Sequence, residues 1–346
     1  MKKEDKAFSP DIHFPVEQLV GKRILITGAG GTIGFVLTRY LLNLDKQFCL
    51  NLKLLLLVRN SERLELEFAE EISESRVKII VGDIRDFSEI QGEIDYIVHG
   101  ASITASKMMV EKPVEVIRTN IDGTVNMLEL ARKKKVKSIV YLSSMEVYGF
   151  TEDEVLLTEE KVQYLNPLAL RSSYPESKRM CENLCVSYAE EYGVPVKIVR
   201  LAQTFGAGVK EEDSRAYAQF ARCARDKKDI YLMTDGKSKR MYLDTEDAAI
   251  AVLTVLLKGK SGSAYNAGNK ATYCSIRKLA ELAVKEIGDG SIKIHLKAQD
   301  VEKGKYPPAH KLMLDVSKIE ALGWEPASGL KEMYAHMMEE WGKIDA

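Results

Sequence analysis

The stretch SSYPESKRMCENL places Tyr174 four residues before Lys178, so that on a helix the phenol and the ammonium share one face. A lysine ammonium close to a phenol favours phenolate, which can act as a base toward a substrate hydroxyl, while the same lysine reaches a nicotinamide ribose. On its own this spacing is common. A second stretch, YLSSMEVYG at residues 141–149, ends an apolar run with two hydroxyls, a methionine, a glutamate and a tyrosine. A third, RILITGAGGTIGFVLTRYLL, sets Gly28, Gly31 and Gly34 between a strand-like run and an amphipathic helix. Glycine there permits a tight turn, close approach to a pyrophosphate and close helix packing, and the helix N-terminus adds amides and a positive dipole end. A dinucleotide is the natural ligand of such a turn.

The elements that must position these residues are legible as an alternation. RILIT at Arg23, LKLLLLV at Leu52, VKIIV at Val77, YIVHG at Tyr96, SIVYLS at Ser138 and VKIVRL at Val196 read as strands, and their nearly continuous Val, Ile and Leu suits strands covered on both faces. Val114, Ile117, Ile121, Val125 and Leu128 recur at helical spacing before the basic run at Arg132, and a second helix is predicted from Tyr174 to about Glu191, ended by Gly193 and Pro195. These alternating units predict an α/β fold, a doubly wound parallel sheet of the Rossmann kind, with a smaller C-terminal α+β substrate-binding lobe. The predicted boundaries are 1–201 plus about 240–260 for the dinucleotide-binding part, and about 202–239 with 261–346 for the lobe; SAYNAGN and SIRKLAELAVKEIG read as strand, loop and helix within the latter.

The second strand ends in LVRN, where many NAD binders carry an acid that takes both ribose hydroxyls. Arg59 stands there instead, and a guanidinium accepts a 2′-phosphate, which favours NADP over NAD; the alternatives are that Arg59 stacks on adenine or lies in solvent. At the third strand end Asp83 and Ile84 are placed to meet the adenine, unless Asp83 only caps a turn.

Composition narrows the class. The 346 residues, 45% hydrophobic and 29% charged, are enough for a substantial core, and fifty basic against fifty-one acidic side chains leave no general attraction to nucleic acid or anionic lipid. The first residues lack the apolar segment of a signal peptide and no run approaches about 18 apolar residues, so no membrane partner and a cytoplasmic location are expected. The five cysteines show no zinc spacing, and no metal is expected; Cys181 and Cys185, one helical turn apart, join Leu184 and Tyr188 in an apolar stripe that reads as packing.

Taken together, TGAGGTIG, GDIRD, IVHGAS, TNIDGTVNMLELA, LSSMEVYG, YPESK, RLAQTFGAG, KRMYLDTEDAAIAV, YNAGN and LGWEP occur in an order that closely resembles the extended short-chain dehydrogenase/reductase family, in particular its nucleotide-sugar epimerases, dehydratases and decarboxylases. The resemblance covers nearly the whole chain. It implies an NAD(P) cofactor contacted by Gly28, Gly31, Thr32, Ile33, Gly34, Arg59, Asp83, Ile84, Ala101, Ser102, Asn120 and Lys178. It makes Tyr174 the base, Lys178 its partner and Ser144 the hydroxyl at the reacting sugar oxygen, with Ser143 as the adjacent alternative. Asn120 is positional by this reading, and His99 sits near the cofactor without a chemical role. Toward a nucleotide-diphosphate sugar the resemblance implies Arg240 for the diphosphate, or a mere surface charge, with Gln203 where many members have asparagine, Lys311 where many have arginine, and Thr104 and Ser106 facing the sugar. It also implies a homodimer built as a four-helix bundle from the helices that contain Val114–Leu128 and Tyr174–Tyr188.

The shared opening step would be oxidation at the sugar C4. Epimerisation needs little more than Tyr174, Lys178 and Ser144 and is the leading expectation. A 4,6-dehydratase needs a further acid and base, and dTDP-glucose-type members carry Asp-Glu where this chain has Met145 and Glu146. A thioether donates no proton, which disfavours that reaction and leaves decarboxylation of a uronate, or a dehydratase keeping only the glutamate, as the alternative that uses Glu146 as an extra base. Glu146 as a structural acceptor, a non-catalytic dinucleotide sensor and a simple carbonyl reductase are the remaining readings.

Overall fold

A computed structural model describes residues 14–87, 90–151, 153–297 and 310–342. All six strands read from the sequence are present in one parallel sheet, ordered Ala264–Ala267, Val196–Leu201, Ser138–Ser144, Tyr96–His99, Arg23–Thr27, Lys53–Val58 and Val77–Val81. Alternate residues of each strand divide the core in two. Ile24, Ile26, Leu54, Leu56, Val98 and Val140 face the helices Thr32–Phe48 and Thr245–Lys258. Leu25, Leu55, Leu57, Ile97, Ile139 and Tyr141 face Pro113–Lys134 and Ser173–Tyr192. Cys181 and Cys185 are buried in that second cluster, as packing residues. Gly193, at φ +66°, ends the helix Ser173–Tyr192 in the left-handed conformation that favours glycine.

The predicted division of the chain is corrected at three places. Ala264–Ala267, assigned from sequence to the smaller lobe, closes the main sheet beside Val196–Leu201. Lys239–Asp244, assigned to the dinucleotide-binding part, is the middle of the second sheet, between Asn269–Ser275 and Lys311–Leu314. Leu156–Leu157 extends that sheet from within the first 201 residues. Short strands of two to six residues do not state in their sequence which sheet receives them.

Gln203–Phe205 also pairs with Lys239–Asp244, and the helices Ala216–Arg225, Ile276–Glu286 and Leu330–Gly342 pack over this second sheet. Their core is aromatic: Phe205 stacks on Tyr217 at 4.6 Å, with Tyr242, Tyr334 and Trp341 around them. The main sheet reverses its winding between Arg23–Thr27 and Tyr96–His99, and a cleft opens at the carboxyl ends of the strands there, where ligands of doubly wound sheets bind. Among the described residues no helix is long and apolar enough to cross a membrane.

Candidate active site

The cleft measures about 770 Å³ and runs from the glycine turn to Tyr174 and on to the second sheet. At its near end Gly28 has φ +72°, and a Cβ there would lie 2.8 Å from the Gly100 carbonyl oxygen. A Cβ on Gly34 would lie 2.5 Å from the Gly28 carbonyl oxygen, so only glycine lets the helix start this close to the strand. Gly31 caps that helix with no side chain bonded to its first-turn amides, and Gly31, Thr32 and Ile33 line the cleft. The turn therefore fits the pyrophosphate of a dinucleotide.

Arg59 is exposed at the rim, with Asp83 and Ile84 beside it along the lining. The Asp83 carboxylate is taken up by Arg85, which donates its backbone N–H at 2.9 Å and its guanidinium at 2.9 and 2.7 Å. This pairing, with the charge of Arg59 adding, holds Asp83 down at about 2, so its side chain caps the turn rather than reaching freely into the cleft. Ala101 and Ser102 line the middle. Ser102 donates to Asn120 at 2.7 Å, Asn120 donates to Ser177 at 2.8 Å, and Ser177 bonds the Tyr174 carbonyl, so buried Asn120 ties the cofactor wall to the helix of Tyr174. His99 is enclosed between the hydroxyls of Thr27 and Thr124, and burial, aided by the charge of Lys178, lowers it to about 3; the ring stays neutral.

At the reacting end Tyr174 is buried, with the Ser144 hydroxyl beside its phenol. Lys178 Nζ donates to the Leu142 carbonyl at 2.7 Å and lies 5.8 Å from the Tyr174 ring centre. Burial, then the charge of Glu146, raises the phenol well above its usual value, while the Ser144 hydroxyl, Arg171 and Arg215 act against this. Among the protein's own groups desolvation outweighs any pull of Lys178 toward phenolate, and the same burial lowers Lys178 to about 8. Ser143 turns away and donates to Glu182 at 2.6 Å, which leaves Ser144 as the hydroxyl at the phenol. Met145 is buried in the apolar core at the cleft wall. Glu146 faces the cleft in an ion pair with Arg171, at 2.9 and 3.0 Å.

Beyond Tyr174, Thr104 and Ser106 are exposed on the lining, and Gln203 and Arg240 stand across from them on adjacent strands of the second sheet. Arg240 is half-buried, bonds Gln203 at 3.5 Å and His310 at 3.2 Å, and keeps a buried Nε–H without a partner, so it is a cleft residue and not a loose surface charge. Lys311 is not brought into the cleft. It pairs in register with Lys239 while Arg240 pairs with Leu312, and its charge acts on Glu154 beside Lys239. His310 takes the place by Arg240 instead. Three cationic lining residues escaped the sequence reading: Arg171, Lys210, and Arg215, whose guanidinium is bound to Asp213. Arg171 lies three residues before Tyr174 and spacing could have raised it; Arg215 ends an irregular loop that carries no periodic signal.

A Rossmann sheet with a glycine turn, a Tyr-Lys pair and a hydroxyl at the end of the fifth strand defines a dinucleotide-dependent enzyme of the extended short-chain dehydrogenase/reductase group. Within that group the chain belongs to the NAD dependent epimerase/dehydratase family, whose family model matches residues 24–268. It is 30% identical over 318 residues to UDP-glucuronic acid decarboxylase 1 of Xenopus tropicalis, covering 90% of this chain and 70% of the relative. It is 29% identical over 327 residues to the UDP-N-acetyl-alpha-D-glucosaminuronate decarboxylase of Bacillus cytotoxicus, covering 90% and 96%. Among solved structures, the dTDP-glucose 4,6-dehydratase DesIV of Streptomyces venezuelae, with NAD bound, superposes with a TM-score of 0.76 at 25% identity, covering 93% of this chain and 98% of that one.

Proposed function

We propose that the protein decarboxylates a nucleotide-diphosphate hexuronate after oxidation at C4. The observation that carries this reading is the Glu146–Arg171 pair in the cleft beside Tyr174, which offers one guanidinium for a sugar carboxylate and one carboxylate for proton transfer. Similarity to decarboxylases of two different hexuronates supports it, and moves it ahead of the epimerase expected from the sequence.

A nicotinamide dinucleotide held by the glycine turn, Ser102 and Lys178 would supply reversible hydride acceptance. Once the positive charges of a bound nicotinamide and of Lys178 offset the burial of its phenol, Tyr174 as the phenolate would take the C4 hydroxyl proton, with Ser144 at the same oxygen, and give it back when hydride returns to the 4-keto pentose. The C5 carboxylate then stands β to a ketone, and as its bond to C5 breaks to release CO₂ the electron pair passes to the C4 oxygen, where the phenol and the Ser144 hydroxyl donate. Collapse of that enolate takes one proton at C5, delivered from the side of Glu146. Arg171 orients the carboxylate before it leaves, and Arg240 with Gln203 receives the diphosphate end.

Incubation with NAD⁺ or NADP⁺ and UDP-glucuronate tests this, with released CO₂ and the product's proton spectrum as readouts. CO₂ with a pentose product is the expected result. A galacturonate product without CO₂ overturns it in favour of a 4-epimerase, the second reading, for which Tyr174, Lys178 and Ser144 would suffice. Failure to change any UDP-, CDP-, GDP- or dTDP-linked hexose or hexuronate overturns both.

Two finer points belong to the same proposal. Exposed Arg59, with no carboxylate at its strand end, favours NADP over NAD. A homodimer is proposed through Pro113–Lys134 and Ser173–Tyr192, whose outer faces expose Val114, Ile117, Met180 and Val186; light scattering that gives a monomer at micromolar concentration would remove this point.

A further inference from the structure

We infer that Glu182, locked to Arg200 behind the catalytic helix, is the positioning residue of the reacting end: it anchors the strand end that carries Ser144 and Glu146 and is the fixed counter-charge of Lys178.

The anchoring is a continuous buried network. Ser143 donates to Glu182 at 2.6 Å, and Arg200 grips both carboxylate oxygens at 2.9 and 2.7 Å. Arg200 also donates to the Tyr148 hydroxyl at 3.0 Å and to the Glu159 carbonyl at 2.7 Å. Tyr148 in turn donates to Asn266 at 2.6 Å, and Asn266 bonds the carbonyls of Leu157 and Asp315. Ser143 and Tyr148 bracket the segment of Ser144, Met145 and Glu146, so both of its ends hang from one carboxylate–guanidinium pair. Glu182 lies one turn beyond Lys178 on the same helix face. A shift of that pair would therefore move the hydroxyl and the lysine relative to each other.

The electrostatic role follows from what surrounds Lys178. Its Nζ meets the Leu142 carbonyl and the Tyr141 ring, with His99 from the neighbouring strand and Tyr174, Cys181, Glu182 and Cys185 from its own helix. Near neutral pH burial keeps Tyr141, Tyr174, Cys181 and Cys185 protonated and His99 uncharged. Among these neighbours Glu182 alone brings a carboxylate, gripped on both oxygens by Arg200. Without it, burial would drive Lys178 further below about 8.

This rests on the assignment of Lys178 to the cofactor's ribose. The test is calorimetric titration of NAD⁺ into the full-length protein from pH 6.5 to 9.5, for wild type, Glu182→Gln, Glu182→Asp and Lys178→Met. Affinity in the wild type is expected to fall on an alkaline limb that moves down by about one pH unit in Glu182→Gln, which is roughly a fivefold loss at pH 8, and returns in Glu182→Asp. If Glu182→Gln does not fold, Glu182→Gln with Arg200→Gln leaves no unpaired charge and serves the same comparison. A limb that vanishes in Lys178→Met but stays in place in Glu182→Gln, with only the melting temperature lowered, overturns the inference alone. A limb that persists in Lys178→Met overturns the assignment of Lys178 and the inference with it.

Discussion

On either side of the strand end Ser143–Ser144 stands one glutamate paired with one arginine, and the two pairs behave oppositely. In Glu146–Arg171 the side chains are 33% and 37% exposed; in Glu182–Arg200 they are 10% and 9% exposed. Water screens the first, so its members separate at little cost and can exchange partners with an incoming carboxylate. The second is desolvated and fully hydrogen-bonded, and removing either member strands a charge in the core. The same chemistry thus provides a movable contact on the substrate side and a fixed one behind the helix. Burial, not residue type, assigns the roles.

Five substitutions break or sharpen this contrast. The largest effect is expected for Arg200→Ala, which leaves Glu182 buried and unpaired: about 3–5 kcal/mol of stability should be lost in urea unfolding, against at most about 1 kcal/mol for Arg171→Ala. Equal losses would end the distinction. Next, Arg171→Gln should fold normally yet lower kcat/KM for a nucleotide hexuronate by roughly 10–100-fold, about 1.4–2.7 kcal/mol, with little change in binding of the neutral UDP-glucose. Arg59→Ala removes an exposed guanidinium that has no buried role; NADP⁺ affinity should fall about tenfold while NAD⁺ affinity stays within about twofold, measured by the same titration.

The smallest effect concerns a half-buried carboxylate that, among the described residues, no guanidinium grips. Burial and the charge of Asp244 raise Glu246 to about 7, against about 4.3 in an unfolded chain. Its folded form binds the proton more tightly, so its contribution to stability is lost as pH rises from about 4 through 7. Glu246→Gln should therefore gain on wild type by roughly 1 kcal/mol between pH 5 and 8, seen as a melting-temperature difference that grows with pH. A difference that does not vary with pH would show that Glu246 is satisfied in its charged form.

The cofactor half of the cleft was legible because its chemistry is contiguous. TGAGGTIG holds the turn, the helix start and the close approach in eight residues, and each later appears in the lining or the packing. The sugar half was legible only in part, because its groups come from separate segments whose relative faces depend on register. Ser143 and Ser144 are equivalent in a string, but neighbours on a strand point to opposite sides, and only the position of Glu182 shows which side each serves. Lys311 failed for the same reason, being paired with Lys239 and not with Arg240. The assignment of Ala264–Ala267 failed because a four-residue strand does not state its destination.

That short strand also bears on how the chain is made. A nascent chain that has emerged only as far as Leu201 would hold six strands with Val196–Leu201 as an open edge, four of its six residues apolar, a surface prone to pairing with other chains. Cover for that edge arrives more than sixty residues later, together with Asn266, which completes the bonds to Tyr148 and beyond. The dinucleotide-binding half is therefore not a separable module: truncation before residue 267 should yield an aggregating product, and the reacting end takes its final shape only once the second sheet has been synthesised.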